Sequence, residues 1–254
     1  MSVDDSRHVV ALLCRTSDRS GEGMTGAAAL GDRLGARVIG SVGEPRDSAY
    51  GEDLERSRGC LLEAGGQIDD ALEAGKVPIL LAGTCSISLT TLPVVARHHP
   101  DAVVLWLDAH ADFNTPETSP SQFLGGMCLA SACGVWDSGF GAGLDPARVV
   151  MFGVRDVDGQ ERVLLERHGV GTVDRPGPLA DLLEARKVFI HLDLDILDPD
   201  VLPAGFPAPG GLDFEQLHRL LDLVCGSAEL IGIEITGAHP DYAEELADVL
   251  APVF

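Results

Sequence analysis

Three apolar stretches of the chain end abruptly in acids. Asp108, Ala109, His110, Ala111 and Asp112 follow AVVLWL, the pair Asp193 and Asp195 follows KVFIHL, and Glu234 follows ELIGI. Side chains alternate along an extended segment, so Asp108, His110 and Asp112 share one side, as do Asp193 and Asp195. Carboxylates two residues apart at the end of a buried strand, with no Lys or Arg beside them in sequence, repel one another unless a cation lies between them. Four aspartates and one imidazole make a hard, oxygen-rich donor set, which suits Mn²⁺ or Mg²⁺ better than structural zinc. That is more ligands than one ion needs. Two ions bridged by shared carboxylates could share a water, lower its pKa and aim it at an electrophilic carbon. A helix cap or solvated loop would explain one such cluster, but two clusters at two strand ends favour metal.

Strand ends require strands, and the apolar runs supply them. HVVALLC, ARVIGSV, VPILLAG, AVVLWLDAH, RVVMFGV, KVFIHLDLD and ELIGIEITG are nearly continuous in hydrophobicity, as buried parallel strands are. Amphipathic stretches lie between them: DLERSRGCLLEAGGQIDDALEAG, ISLTTLPVVARHH, GQERVLLERHG, FEQLHRLLDLVCG and DYAEELADVLAPVF. The alternation predicts one α/β domain over residues 1–254, a three-layer α/β/α fold with a mainly parallel sheet. Ligands of such sheets bind beyond the carboxyl ends of the strands, where the acids fall.

The 254 residues carry 18 Lys and Arg against 40 Asp and Glu, a formal charge of −22. A field of that sign repels phosphate backbones and anionic lipid, which argues against nucleic acid or a membrane surface as partner. No apolar run approaches the ~18 residues of a membrane span. The start, MSVDDSRHVVALLC, lacks the basic region of a signal peptide. Cys14, Cys60, Cys85, Cys128, Cys133 and Cys225 form no CxxC pair, so six reduced thiols in a cytoplasm are expected.

With these motifs the chain resembles the ureohydrolases, the family of arginase, agmatinase and formimidoylglutamase, which share a di-manganese site on an α/β sheet. The resemblance runs from LLAGTCS to GIEITGAHP; DAHAD is intact and HLDLDILDP departs only at His191. It implies that Asp108 and Asp193 bridge two Mn²⁺ ions, that His110 and Asp195 complete one site, and that Asp112 belongs to the other. It casts Glu234 as the acid that receives a guanidinium and Asp112 as a further catalytic group. The loop NTPETSPS looks like the arginase branch, where Asn114, Ser119 and Ser121 would grip an α-carboxylate. Asp158 and Glu161 would read the α-amino group, although alone they also fit a capping motif.

Two departures matter. Cys85 stands where the family places a histidine ligand, which weakens one ion's site, or else it is an inert buried thiol. Gly125 stands where arginase has a proton-shuttling histidine, with Phe123 in place of an asparagine. A chain with these losses resembles ureohydrolases that hydrolyse Nω-hydroxy-L-arginine to hydroxyurea and L-ornithine, a substrate whose hydroxyl makes its guanidine less basic. An ordinary arginase, another guanidino-acid hydrolase, and a metal-binding protein without turnover remain alternatives. A monomer or small homo-oligomer is expected. Trp106 and Phe189 read as core, His191 as a partner orienting a carboxylate, and His98 and His99 as solvated.

Overall fold

All seven apolar runs are strands of one sheet in the computed structural model, which describes residues 6–254. They are β1 (Arg7–Leu12), β2 (Arg37–Ile39), β3 (Val77–Leu81), β4 (Val103–Leu107), β5 (Val149–Phe152), β7 (Lys187–Asp193) and β8 (Glu229–Thr236). A two-residue edge strand, β6 (Gly171–Thr172), is the eighth. The order is β2-β1-β3-β8-β7-β4-β5-β6, and every pairing is parallel, so the sheet is wholly rather than mainly parallel.

Two layers of helices cover it. Against one face lie α1 (Glu22–Leu34), α7 (Pro176–Leu183), α8 (Phe214–Ser227) and α9 (Ala243–Val249). The other face carries α3 (Arg58–Glu73), α4 (Ser88–His98), α5 (Cys128–Ala132) and α6 (Gly159–His168). The stretch expected as one helix from Asp53 breaks at Ser57 into α2 (Tyr50–Arg56) and α3. The period-two pattern divides the core: on β4, Val103, Leu105 and Leu107 pack into the first layer while Val104 and Trp106 pack into the second. Trp106 and Phe189 are fully buried, as expected of core. Truncating either to alanine should cost about 3–5 kcal/mol. No helix of the described residues is long and apolar enough to cross a membrane.

Two expectations fail. Cys14 and Cys60 are joined in a disulfide that closes 46 residues of chain between the end of β1 and α3, so only Cys85, Cys128, Cys133 and Cys225 are free. His98 is not simply solvated, because its Nε2 lies 2.6 Å from Asp69 Oδ1.

Candidate active site

Strand order decides where the acids meet. The chain leaves β3 and enters β4 three positions away across the sheet, and β7 and β8 later fill the gap between them. The carboxyl ends of these four central strands therefore converge on one place. Cys85 follows β3, the Asp108 to Asp112 run follows β4, Asp193 ends β7, and Thr236 ends β8. Above them opens a cleft of about 600 Å³ lined by Cys85, Asp108, His110, Asp112, Asp193 and Asp195. All six residues expected to hold metal face the same space.

Backbone N–H groups fix the carboxylates. Asp108 Oδ1 accepts from His110 N at 2.6 Å, Asp193 Oδ1 from Asp195 N at 2.9 Å, and Asp195 Oδ1 from Ala109 N at 3.1 Å. The last bond ties the β4 and β7 tips together. His110 Nδ1 lies 2.9 Å from Asp195 Oδ2 and 3.5 Å from Asp108 Oδ1. Cys85 Sγ donates to Asp193 Oδ2 at 2.8 Å and lies 3.9 Å from Asp108 Oδ2. Thr236 also donates to Asp193 Oδ2, at 2.9 Å. Behind it Gly237, at φ 71°, has no room for a side chain, because a Cβ would come 2.4 Å from Asp193 Oδ1. Asp112 takes the left-handed conformation at φ 48°, unusual for a residue with a side chain. Its carbonyl is held there by the N–H groups of Leu129 and Ala130 at 3.1 and 3.4 Å.

The electrostatics ask for a cation. Burial, and then repulsion from Asp108, holds Asp112 well above the usual carboxylate range. Asp193 is raised by burial and by Asp195, and Asp195 is raised to about 6 by burial and by Asp108. His110 is pushed up to about 12, burial being outweighed by its bonds to Asp108 and Asp195. Burial raises the Cys85 thiol as well, reinforced by Asp193, Asp112 and Asp108. Two sets of donor atoms, Asp108 with His110 and Asp195, and Asp108 with Cys85 and His191, each lie within 4.8 Å of one another. Two divalent cations sharing Asp108 fit this donor set and would relieve the repulsion.

The other expected residues divide. Asn114, Ser121, Asp158 and Glu161 line the cleft, with Asn114 Nδ2 donating to Asp158 Oδ2 at 3.1 Å. Glu161 also works as a capping residue, accepting from Asp158 N at 3.2 Å and from Phe113 N at 2.8 Å. Ser119 does not reach the cleft lining; it is buried and accepts from Gln122 N at 3.0 Å, shaping the loop that presents Ser121. Glu234 is not brought to the cleft either. Fully buried, it accepts from Ser88 and Thr91 of α4 and lies 2.7 Å from His191 Nδ1. Expected just past the end of its strand, it lies inside β8, which runs on to Thr236, and the α4 hydroxyls hold its carboxylate away from the cleft.

Several residues escaped the sequence reading. Asp18 lines the cleft with Oδ1 buried and unpartnered, its carboxyl raised to about 6 by burial. Arg155 clamps the loop after β7, donating to the carbonyls of Asp195 at 2.9 Å and Ala208 at 2.7 Å. At the mouth Phe206 packs at a tilt against Phe123 with centroids 4.9 Å apart, and the Arg19 guanidinium lies 5.0 Å over Phe123. No motif marks these positions. The Phe123 ring also fills the space of a side chain at residue 125, because a Cβ on Gly125 would meet Phe123 Cε1 at 2.5 Å.

Parallel strands under a floor of converging acids give the chain an α/β architecture with its candidate active site at the carboxyl edge of the sheet. The arginase family profile matches residues 51–252. The chain is 38% identical over 259 residues to the N(omega)-hydroxy-L-arginine amidinohydrolase of Streptomyces lavendulae, with 94% of each chain covered. It is 33% identical over 193 residues to the arginase of Bacillus caldovelox, covering 68% of this chain and 64% of that one. Its fold superposes on the crystal structure of the Bacillus subtilis arginase with a TM-score of 0.84 over 98% of each chain, at 23% identity. The chain belongs to the arginase family and is a hydrolase of amidine or guanidino carbon–nitrogen bonds.

Proposed function

We propose that the chain hydrolyses the guanidino group of Nω-hydroxy-L-arginine to hydroxyurea and L-ornithine, with two manganese ions at the cleft floor. The observation that carries this reading is one cleft holding hard metal donors at its floor and Asn114, Ser121, Asp158 and Glu161 along its wall. The likeness to the Streptomyces lavendulae amidinohydrolase supports the choice of substrate.

His110 and Asp195 would hold one ion and Cys85 and Asp112 the other, with Asp108 and Asp193 within reach of both. When bound, the ions supply a water made acidic enough to attack carbon near neutral pH. Asp112 would be the carboxylate that accepts a proton beside the reacting carbon. Asp158 and Glu161 face the α-ammonium, and Asn114 and Ser121 face the α-carboxylate, fixing the distance from the amino-acid end to the reacting carbon. Glu234 acts from behind through His191 rather than on substrate.

Gly125 provides no acid to protonate a departing amine, and this favours the hydroxylated substrate. A hydroxyl on the guanidine withdraws electrons, leaving its carbon more electrophilic and the group less dependent on a shuttle. Comparing kcat/KM on hydroxyarginine and on arginine, with added Mn²⁺, tests the reading. Hydroxyarginine should be favoured by about a hundredfold, the worth of one general acid; equal values or a preference for arginine would point to an ordinary arginase.

A further inference from the structure

His191 lies on β7 two residues before Asp193, on the same face, and is completely buried. Its ring stacks on Trp106 of the neighbouring strand at 3.6 Å and 8°. Packing alone would explain an aromatic group there, but it does not explain the two nitrogens. Nδ1 faces Glu234 Oε1 at 2.7 Å and Ser88 Oγ at 3.2 Å. Nε2 points the other way, 3.7 Å from Asp108 Oδ2, and has no hydrogen-bond partner at all. A histidine with one nitrogen anchored on a buried carboxylate and the other bare is arranged as metal-binding histidines are, the carboxylate fixing the tautomer and strengthening the opposite nitrogen as a donor.

The bare nitrogen has suitable company. Cys85, Asp108 and His191 each offer an atom within 4.8 Å of the others, all from buried residues. The 3.7 Å from Nε2 to Asp108 Oδ2 is a separation that two ligands of one ion adopt when each stands about 2.1 Å from it. We propose that His191 is a direct ligand of the second ion, supplying from β7 the imidazole that Cys85 does not supply from the end of β3. Glu234 then has a definite task, holding the ring's tautomer and angle. Cys85, which the reading above gives to the same ion, then has an imidazole beside it and no longer stands as a soft donor in the histidine's place alone. The proposal rests on the two-ion reading above and adds to it a ligand from a different strand.

Manganese binding to the purified full-length chain, followed by calorimetry and by the electron paramagnetic resonance of free Mn²⁺, tests it without substrate. The wild type should bind two ions. His191→Ser should keep the ion held by His110 and Asp195 within about twofold and weaken the other at least about tenfold. Adding Cys85→His to His191→Ser should restore the second ion, a rescue that a packing role does not predict. His191→Phe keeps the stack on Trp106 without a donor nitrogen; it should lose the same ion and replaces the serine variant if that one fails to fold. Unchanged binding of both ions in a folded position-191 variant overturns the proposal while leaving the two-ion reading intact. Binding that depends on His191 in a chain inactive on hydroxyarginine would have the opposite meaning, and a wild type that binds no manganese sinks both.

Discussion

Phe123 and Gly125 share one side chain's worth of space. Because the ring of Phe123 occupies the volume a Cβ at 125 would need, the absence of a histidine there is half of a paired change. A Gly125→His substitution alone should therefore destabilise the chain by about 1–3 kcal/mol through overpacking and bring no new activity. Combined with Phe123→Asn it should fit, and kcat on arginine should rise by up to about a hundredfold as a general acid returns. Thermal melts and steady-state assays of the two variants check this; a single substitution that is both stable and active on arginine would show that the ring does not block the site. Both departures were legible as letters, but their coupling was not, since it depends on a rotamer. The same limit hid the orientation of Glu234. Its strand was legible in the apolar run ELIGIEITG, whereas the grip of Ser88 and Thr91 belongs to α4 and is decided only when that helix docks. Asp108 and Asp193 could be placed because the end of a buried strand leaves them few directions to point, whereas Asp112 and Asp195 reach the cleft from a left-handed residue and a 3-10 turn that no two-residue period describes.

Among the elements, the long apolar strands declared themselves and the marginal pieces did not. Two-residue β6 is too short for any pattern. Helix α1 is masked by glycines that close packing demands: a Cβ on Gly26 would fall 1.9 Å from the Ala238 carbonyl oxygen, and one on Gly23 would fall 2.5 Å from that of Gly83. The first turn of α6 was readable as either a cap or a substrate contact, and the structure makes it serve both purposes. Glu161 accepts two backbone N–H groups there while lining the cleft, and burial raises its carboxyl to about 7. Its charge is present above that pH and lost below it. If Glu161 reads the α-ammonium, KM should rise as pH falls through about 7, by at least about tenfold for one charge-assisted hydrogen bond. Glu161→Gln should show the high KM throughout, with that limb flattened. A KM profile unchanged by the substitution would leave Glu161 as a cap alone.

For the molecule as a whole, a charge of −22 and a knot of buried acids at the carboxyl ends of the central strands set the same problem at two scales. The surface charge is spread out and ordinary salt screens it within about 10 Å. The acids at the tips of β4 and β7 are buried, so screening hardly reaches them, and they need counter-charge in place. Metal removal separates the two. An ion present at a hundred times its dissociation constant stabilises the folded state by about 2.7 kcal/mol, and in a domain of this size each kcal/mol moves Tm by about 2–4 °C. Stripping the chain with a chelator should thus lower Tm by about 5–10 °C for each tightly held ion, and Mn²⁺ should restore it at concentrations near the protein's own. Sodium chloride at matched ionic strength should recover little of the loss. Full recovery by sodium chloride would assign the effect to the surface field, and a melt indifferent to chelator would remove the cation from the centre of the fold.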